Sequence, residues 1–107
     1  FRLIVDADMN VTFTGGDPMF HPEGFIQLAQ MIKEQTDKTI WCYTGYRFEN
    51  LLAHPLRRKL VELCDVIVDG RYIEAERDLS LHFRGSRNQR IIDVPNSLRF
   101  NKMYLIE

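Results

Sequence analysis

Residues Val11 to Pro18 read Val-Thr-Phe-Thr-Gly-Gly-Asp-Pro, and no other stretch restricts the fold of this chain as strongly. A β-rich run stops at two glycines, a carboxylate and a proline, and an amphipathic segment begins a few residues later. Adjacent glycines let a backbone turn tightly and leave its N–H groups bare. Asp17 sets a negative charge at the same point, and Pro18 stiffens the exit. A strand end with bare amides and one carboxylate suits a zwitterion such as the ammonium and carboxylate of an amino acid. The plain alternative is an ordinary strand-to-helix turn, because Gly-Asp-Pro turns are common.

The same strand, turn and helix order recurs downstream. Val11 to Thr14 reads as a short buried strand, and Pro22 fits the first turn of a helix running to about Gln35. Phe25, Leu28, Ala29 and Ile32 recur at helical spacing and are expected to face the core. Thr39 to Tyr43 is β-branched and aromatic and reads as a strand. Phe48 to Leu52 starts a helical stretch that Pro55 interrupts or restarts, with Leu56, Leu60 and Leu63 carrying the apolar face onward. Asp65 to Asp69 is a further strand closed by Gly70, and Phe1 to Val5 fits another. Such alternation predicts an α/β fold of parallel strands with right-handed crossovers. Ile91 to Val94 and Met103 to Ile106 read as closing strands paired through a turn near Pro95 and Asn96. Glu74 to Asp78 reads as a charged, solvated stretch, and no repeat or linker divides residues 1–107, so a single domain is expected.

With 107 residues, 45% hydrophobic and 27% charged, the chain has the make-up of one globular domain. A net charge of −1 provides no general attraction to nucleic acid or to an anionic membrane, and neither is expected as a partner. Without a long apolar run or a leader-like segment, a cytoplasmic location is the expectation. Cys42 and Cys64 are too far apart for a local metal motif and read as reduced core cysteines. His21, His54 and His82 lack partners at metal-ligand spacing and read as surface or capping residues. Trp41 and Tyr43 are expected to pack in the strand layers rather than stack on an adenine. Arg57, Arg58 and Lys59 read as a solvated helix face, with a docking patch as the alternative. Arg84, Arg87 and Arg90 are basic but lack the interleaved aromatics of a nucleic-acid site.

Three strands end in small or polar groups: Gly15-Gly16-Asp17, Thr44-Gly45 and Asp69-Gly70. In a parallel α/β sheet or barrel these ends share one rim, where ligands bind. Taken in order, Thr-Phe-Thr-Gly-Gly-Asp-Pro (12–18), Ile-Trp-Cys-Tyr-Thr-Gly-Tyr (40–46), Asp-Val-Ile-Val-Asp-Gly-Arg-Tyr (65–72) and Phe-Arg-Gly-Ser-Arg-Asn-Gln-Arg (83–90) resemble the activating enzymes of anaerobic ribonucleoside-triphosphate reductases. These are small radical S-adenosylmethionine enzymes of the glycyl-radical activase family. The Gly-Gly-Asp-Pro piece is shared with other glycyl-radical activases, whereas the second and fourth motifs are more diagnostic of the reductase activases.

The resemblance implies an incomplete parallel (βα) barrel around S-adenosylmethionine, here lacking its N-terminal part. It also implies a 4Fe-4S cluster held by a Cys-x-x-x-Cys-x-x-Cys loop. That triad is absent from the chain, and Cys42 and Cys64 do not stand in for it. The loop is expected upstream of about Val11, cut away before Phe1 or missing ahead of the following strand, rather than naturally lacking. The implied activity is reductive cleavage of S-adenosylmethionine to place a glycyl radical on the large subunit of anaerobic ribonucleotide reductase, with an electron donor such as flavodoxin. This chain alone is expected to be inactive. Thr14, Gly15, Gly16 and Asp17 are expected to hold the methionine end, and Thr44 and Gly45 to lie near the sulfonium or ribose. Asp69 is expected to accept from ribose hydroxyls, or else to be a turn residue. Arg84 and Asn88 reach the adenosine or carboxylate, or else form a clamp that closes the barrel. The competing functions are activation of another glycyl-radical enzyme such as pyruvate formate-lyase, and a cluster-free α/β module that binds a nucleotide or a protein.

Overall fold

In the structure, a computed structural model, residues 2–5, 10–14, 17–71, 73, 75, 77, 78, 80, 86 and 88–106 are described. Five strands form one sheet: β1 (Arg2–Val5), β2 (Asn10–Thr14), β3 (Thr39–Tyr43), β4 (Val66–Asp69) and β5 (Arg90–Asp93). Four helices accompany them: α1 (Glu23–Gln35), α2 (Phe48–Leu52), α3 (Pro55–Leu63) and α4 (Val94–Phe100). The strands lie in sequence order across the sheet. β2, β3 and β4 are mutually parallel, as the alternating pattern requires, whereas β1 and β5 run antiparallel at the two edges. The sheet is therefore mixed, and its parallel part is confined to the three strands whose ends carry the glycine-bearing turns.

Alternation along β3 sorts its side chains onto two faces. Ile40 and Cys42 are fully buried in the core shared with α1, α2 and α3, alongside Ile26, Ala29, Leu51, Leu60 and Ile67. Trp41 and Tyr43 pack on the other face with Val66, Val68 and Ile91. Both aromatic side chains thus sit in the strand layers, as their setting in an apolar run suggested. Helix α1 buries Ile26, Ala29 and Ile32. Phe25 and Leu28 lie at the margin of that face rather than in it, half-buried against the core. On α3, Leu60 and Val61 are buried, while Leu56 is 40% exposed.

The C-terminal part departs from the expected strand pair. Val94 to Phe100 is a helix, because Asp93 accepts from the Asn96 amide at 3.2 Å and Pro95 sits in the first turn, where its missing N–H costs nothing. The helix ends at Asn101 in the left-handed region (φ 51°), a position that asparagine tolerates. The chain then returns to β5: the Asp93 amide donates to the Tyr104 carbonyl at 2.9 Å and the Ile106 amide to Ile91 at 2.9 Å. The closing contact exists, with a helix in place of the turn. Among the described residues, no helix is long and apolar enough to cross a membrane.

Beneath the rim, the side chain of Asp69 is wholly buried. A buried carboxylate is tolerated only when paired and hydrogen-bonded. Arg90, directly opposite in the β4–β5 register, donates from Nε to Oδ1 at 3.0 Å and from its terminal nitrogen to Oδ2. The Phe48 amide at the start of α2 donates to Oδ2 at 2.7 Å. Arg90 reaches outward to Glu49 as well. One carboxylate thereby joins two strands and a helix start. Arg90→Met should lower stability by about 3–5 kcal/mol in chemical denaturation, because it strands the Asp69 charge. Asp69→Asn/Arg90→Met, which removes both charges and keeps an acceptor for Phe48, should recover part of that loss; equal instability of the two variants would contradict the ion-pair account.

Arg90 also holds the Glu49 carboxyl below its ordinary value of 4.5 through their hydrogen bond. A depressed carboxyl stabilises the fold fully above its unfolded value, and that contribution disappears as pH falls through the folded one. Glu49 is largely exposed, so the effect is at most about 1 kcal/mol. Glu49→Gln should flatten the fall in Tm below about pH 5, and an unchanged acid limb would show that the pair contributes nothing.

Candidate functional site: the rim cleft

The loops that leave β2, β3 and β4 are tied together by polar contacts. Asp17, just beyond β2, is the main clasp. Its Oδ1 accepts from the Met19 amide at 3.0 Å. Its Oδ2 accepts from the Thr44 hydroxyl at 3.1 Å and from the Gly45 amide at 2.9 Å. The Thr44 amide donates to Val68 at 3.0 Å and the Gly70 amide to Tyr46 at 3.2 Å, which ties the β3 exit to the β4 exit. Gly70 has φ 94°, a conformation that side-chain-bearing residues rarely adopt.

A cleft of about 530 Å³ opens at this rim, lined by Asp17, Phe20, His21, Phe25, Gly45, Tyr46 and Arg71. That volume lies within the ordinary range for small-molecule sites. The walls combine a carboxylate, a guanidinium-bearing side chain and several aromatic faces. Phe20 and His21 meet edge-on, with ring centroids 4.5 Å apart.

Of the residues singled out in the sequence, Asp17 and Gly45 line the cleft, and Thr44 is buried behind it as a donor to Asp17. Thr14 closes β2, while Gly15, Gly16 and Arg84 lie outside the described residues, as does His82. Asp69 is engaged by Arg90 and Phe48 and has no exposed surface, so a ribose would meet it only by displacing one of those donors. Asn88 acts as a clamp. Its amide nitrogen donates to the Arg71 carbonyl at 2.7 Å, and its oxygen accepts from the Ser86 hydroxyl at 2.5 Å. Gln89 adds a bond to the Gly70 carbonyl at 3.0 Å. The late polar motif therefore holds the β4 exit in place.

The sequence reading assigned no ligand contact to Phe20, His21, Tyr46 or Arg71. A positional signal was available: each lies within a few residues beyond a parallel strand end, where the chain turns over the rim. His21 is exposed, in keeping with its reading as a surface residue, and also lines the cleft. His54 does cap a helix, accepting from the Arg57 amide at 3.5 Å. Arg57, read as part of a solvated face, instead donates to the Met19 carbonyl at 2.8 Å.

The chain matches the family of 4Fe-4S single cluster domains over residues 2–92, and it belongs to that family. Within this class it is similar to proteins named anaerobic ribonucleoside-triphosphate reductase-activating protein. The Pasteurella multocida protein is 40% identical over 83 residues, covering 74% of this chain and 52% of the relative. The Vibrio cholerae protein is 41% identical with the same coverage, and that of Enterobacteria phage T4 is 36% identical over 84 residues, covering 76% and 51%. The chain thus spans about half the length of the curated relatives it matches. No solved structure matches it.

The family implies a 4Fe-4S cluster, and the residues present do not fit one. A single cluster of this type takes several converging thiolates. The chain has two cysteines, Cys42 on β3 and Cys64 capping α3, both buried and free. Cys42 is held well above its ordinary pKa by its hydrogen bond with Cys64 and then by burial, so it remains a thiol. Among the described residues, no three His, Cys, Asp or Glu side chains converge as a metal site. In native protein at pH 8, Ellman's reagent should label neither thiol before unfolding, and a fast-reacting thiol in the folded chain would contradict this core assignment.

Proposed function

We propose that this chain is the S-adenosylmethionine-facing part of an activating enzyme for anaerobic ribonucleoside-triphosphate reductase. On this reading the enzyme is a radical S-adenosylmethionine oxidoreductase that reductively cleaves its cofactor and leaves a glycyl radical on the large reductase subunit. Similarity to proteins named for that activation, over 74% of the chain, is the observation that carries the proposal. Strands in sequence order with a ligand-sized cleft at their parallel ends support a partial barrel of the radical S-adenosylmethionine type.

When bound, S-adenosylmethionine supplies the radical precursor, and the protein supplies binding and orientation. Asp17 stands at the cleft, and among the described residues its Oδ1 takes one donor, the Met19 amide, which leaves acceptor capacity for the ligand ammonium. Arg71, on the same cleft, suits the carboxylate. Thr14, Gly15 and Gly16 are assigned to the methionine end, Thr44 and Gly45 to the sulfonium or ribose side. Phe20, Phe25 and Tyr46 offer the apolar walls that exclude water from the adenosine. Asp69, Asn88 and Arg84 are assigned to the surrounding frame, with Asp69 and Asn88 acting through the backbone they hold. No step is assigned to Cys42 or Cys64. The partners on this reading are the large reductase subunit and an electron donor such as flavodoxin.

A cluster-free α/β binding module is the second reading, favoured by the buried, two-cysteine content of the chain. Anaerobic iron and sulfide analysis of the complete gene product after reconstitution separates the two. The activase reading expects about four irons per chain, and 5′-deoxyadenosine with methionine on reduction. Iron-free protein that leaves S-adenosylmethionine intact would rule it out. Within the loaded protein, Asp17→Ala should weaken S-adenosylmethionine binding by roughly tenfold or more in calorimetry; unchanged affinity would remove Asp17 from the site.

A further inference from the structure

The cleft is pinned from a second side by a residue outside every motif described above. Arg57 belongs to α3, in the helix layer against the sheet, and is half-buried. Its Nε donates to the Met19 carbonyl at 2.8 Å. One terminal nitrogen donates to the Tyr46 hydroxyl at 3.3 Å, and the guanidinium carbon lies 4.3 Å from the centre of the Tyr46 ring. Met19 is fully buried, and the next two residues, Phe20 and His21, are cleft walls. Tyr46 is another wall, contributed by the loop after β3. A single side chain therefore touches two of the loops that line the cavity.

We propose that Arg57 is a positioning residue for the rim cleft, holding the Asp17–His21 loop and the Tyr46 ring at the separation the ligand requires. The inference rests on the reading of that cleft as the S-adenosylmethionine site. Asp17 joins the same two loops through Thr44 and Gly45, so the loop after β2 is held at both ends: its first side chain bonds the β3 exit, and the Met19 carbonyl bonds α3. Held at one end only, the loop would be free to swing Phe20 and His21 across the opening.

The chemistry of the guanidinium explains why arginine serves here. Its planar fork donates in two directions while its face lies on an aromatic ring, and a lysine ammonium does not combine these contacts. The neighbours of Arg57 do not share the task. Arg58 pairs with Glu62 at 3.3 Å on the outer side of the helix, and Lys59 is exposed. The three basic residues in a row thus divide into one that builds the site and two at the surface.

The test uses the complete gene product after reconstitution and compares wild type, Arg57→Ala, Arg57→Gln and Arg57→Lys by two readouts. The first is affinity for S-adenosylhomocysteine in calorimetry, and the second is amide exchange at Met19 to His21 and at Tyr46. The wild-type protein should bind, Arg57→Ala and Arg57→Gln should bind about 10- to 100-fold more weakly, and Arg57→Lys should fall between. Exchange should quicken in the two loops of the Ala and Gln variants and stay slow in β3 and β4. Should Arg57→Ala fail to fold, the Gln and Lys variants carry the same comparison. Wild-type binding with unchanged affinity in the variants overturns the role of Arg57 and leaves the cleft assignment standing. Unchanged loop exchange overturns the pin itself. A complete, reconstituted wild-type protein that does not bind overturns the S-adenosylmethionine reading, and with it the effect of Arg57 on ligand affinity.

Discussion

The rest of this structure depends on the pairing of Asp69 with Arg90. Asp69 ends the third parallel strand with its side chain away from water, where an unpaired carboxylate would cost several kcal/mol. The guanidinium that answers it comes from the next strand in the sheet, in direct register. The pair therefore sets how β5 lies against β4, and through the Phe48 amide it sets where α2 begins. Those two elements bring the Ser86–Gln89 segment and the Tyr46 loop to the rim. A single buried charge thus has consequences for the cleft without touching it.

The rim itself is assembled by polar side chains acting on backbone. Asp17 gathers Met19, Thr44 and Gly45; Asn88 and Gln89 hold the carbonyls of Arg71 and Gly70; Arg57 holds that of Met19. Apart from the Thr44 hydroxyl bond, each satisfies a main-chain group in a chain exit that has no ladder partner. The cleft is a by-product of three chain exits being tied to one another around a gap. Its surface then combines charge of both signs with aromatic faces.

Much of this was legible along the chain. Thr39–Tyr43 and Phe48–Leu52 occupy the spans read from the sequence, and Pro55 restarts a helix as read. The reason is local: β-branched and aromatic runs, prolines at helix starts and glycines at turns act over a few residues. The four ordered motifs were legible too, and similarity to the reductase-activating proteins agrees with them. Val94 to Phe100 was misread because Asp-Val-Pro-Asn suits a turn and a capped helix start alike. Only the backbone beyond it, which continues helically to Phe100, separates the two.

Local sequence thus determined the elements, the glycine-bearing strand ends and the lack of a cluster-binding cysteine set in these 107 residues. Tertiary structure decided what the polar residues do. Asp69 and Asn88 look equally fit for a ligand in one dimension, yet both act on their own chain, since their partners come from residues 17 to 21 positions away. Arg57 looked like one more charge on a wet helix and became a support of the site because Met19, 38 residues away, offers it a carbonyl. Burial and pairing are properties of surfaces meeting in space, and a sequence states which groups are available without stating which of them meet.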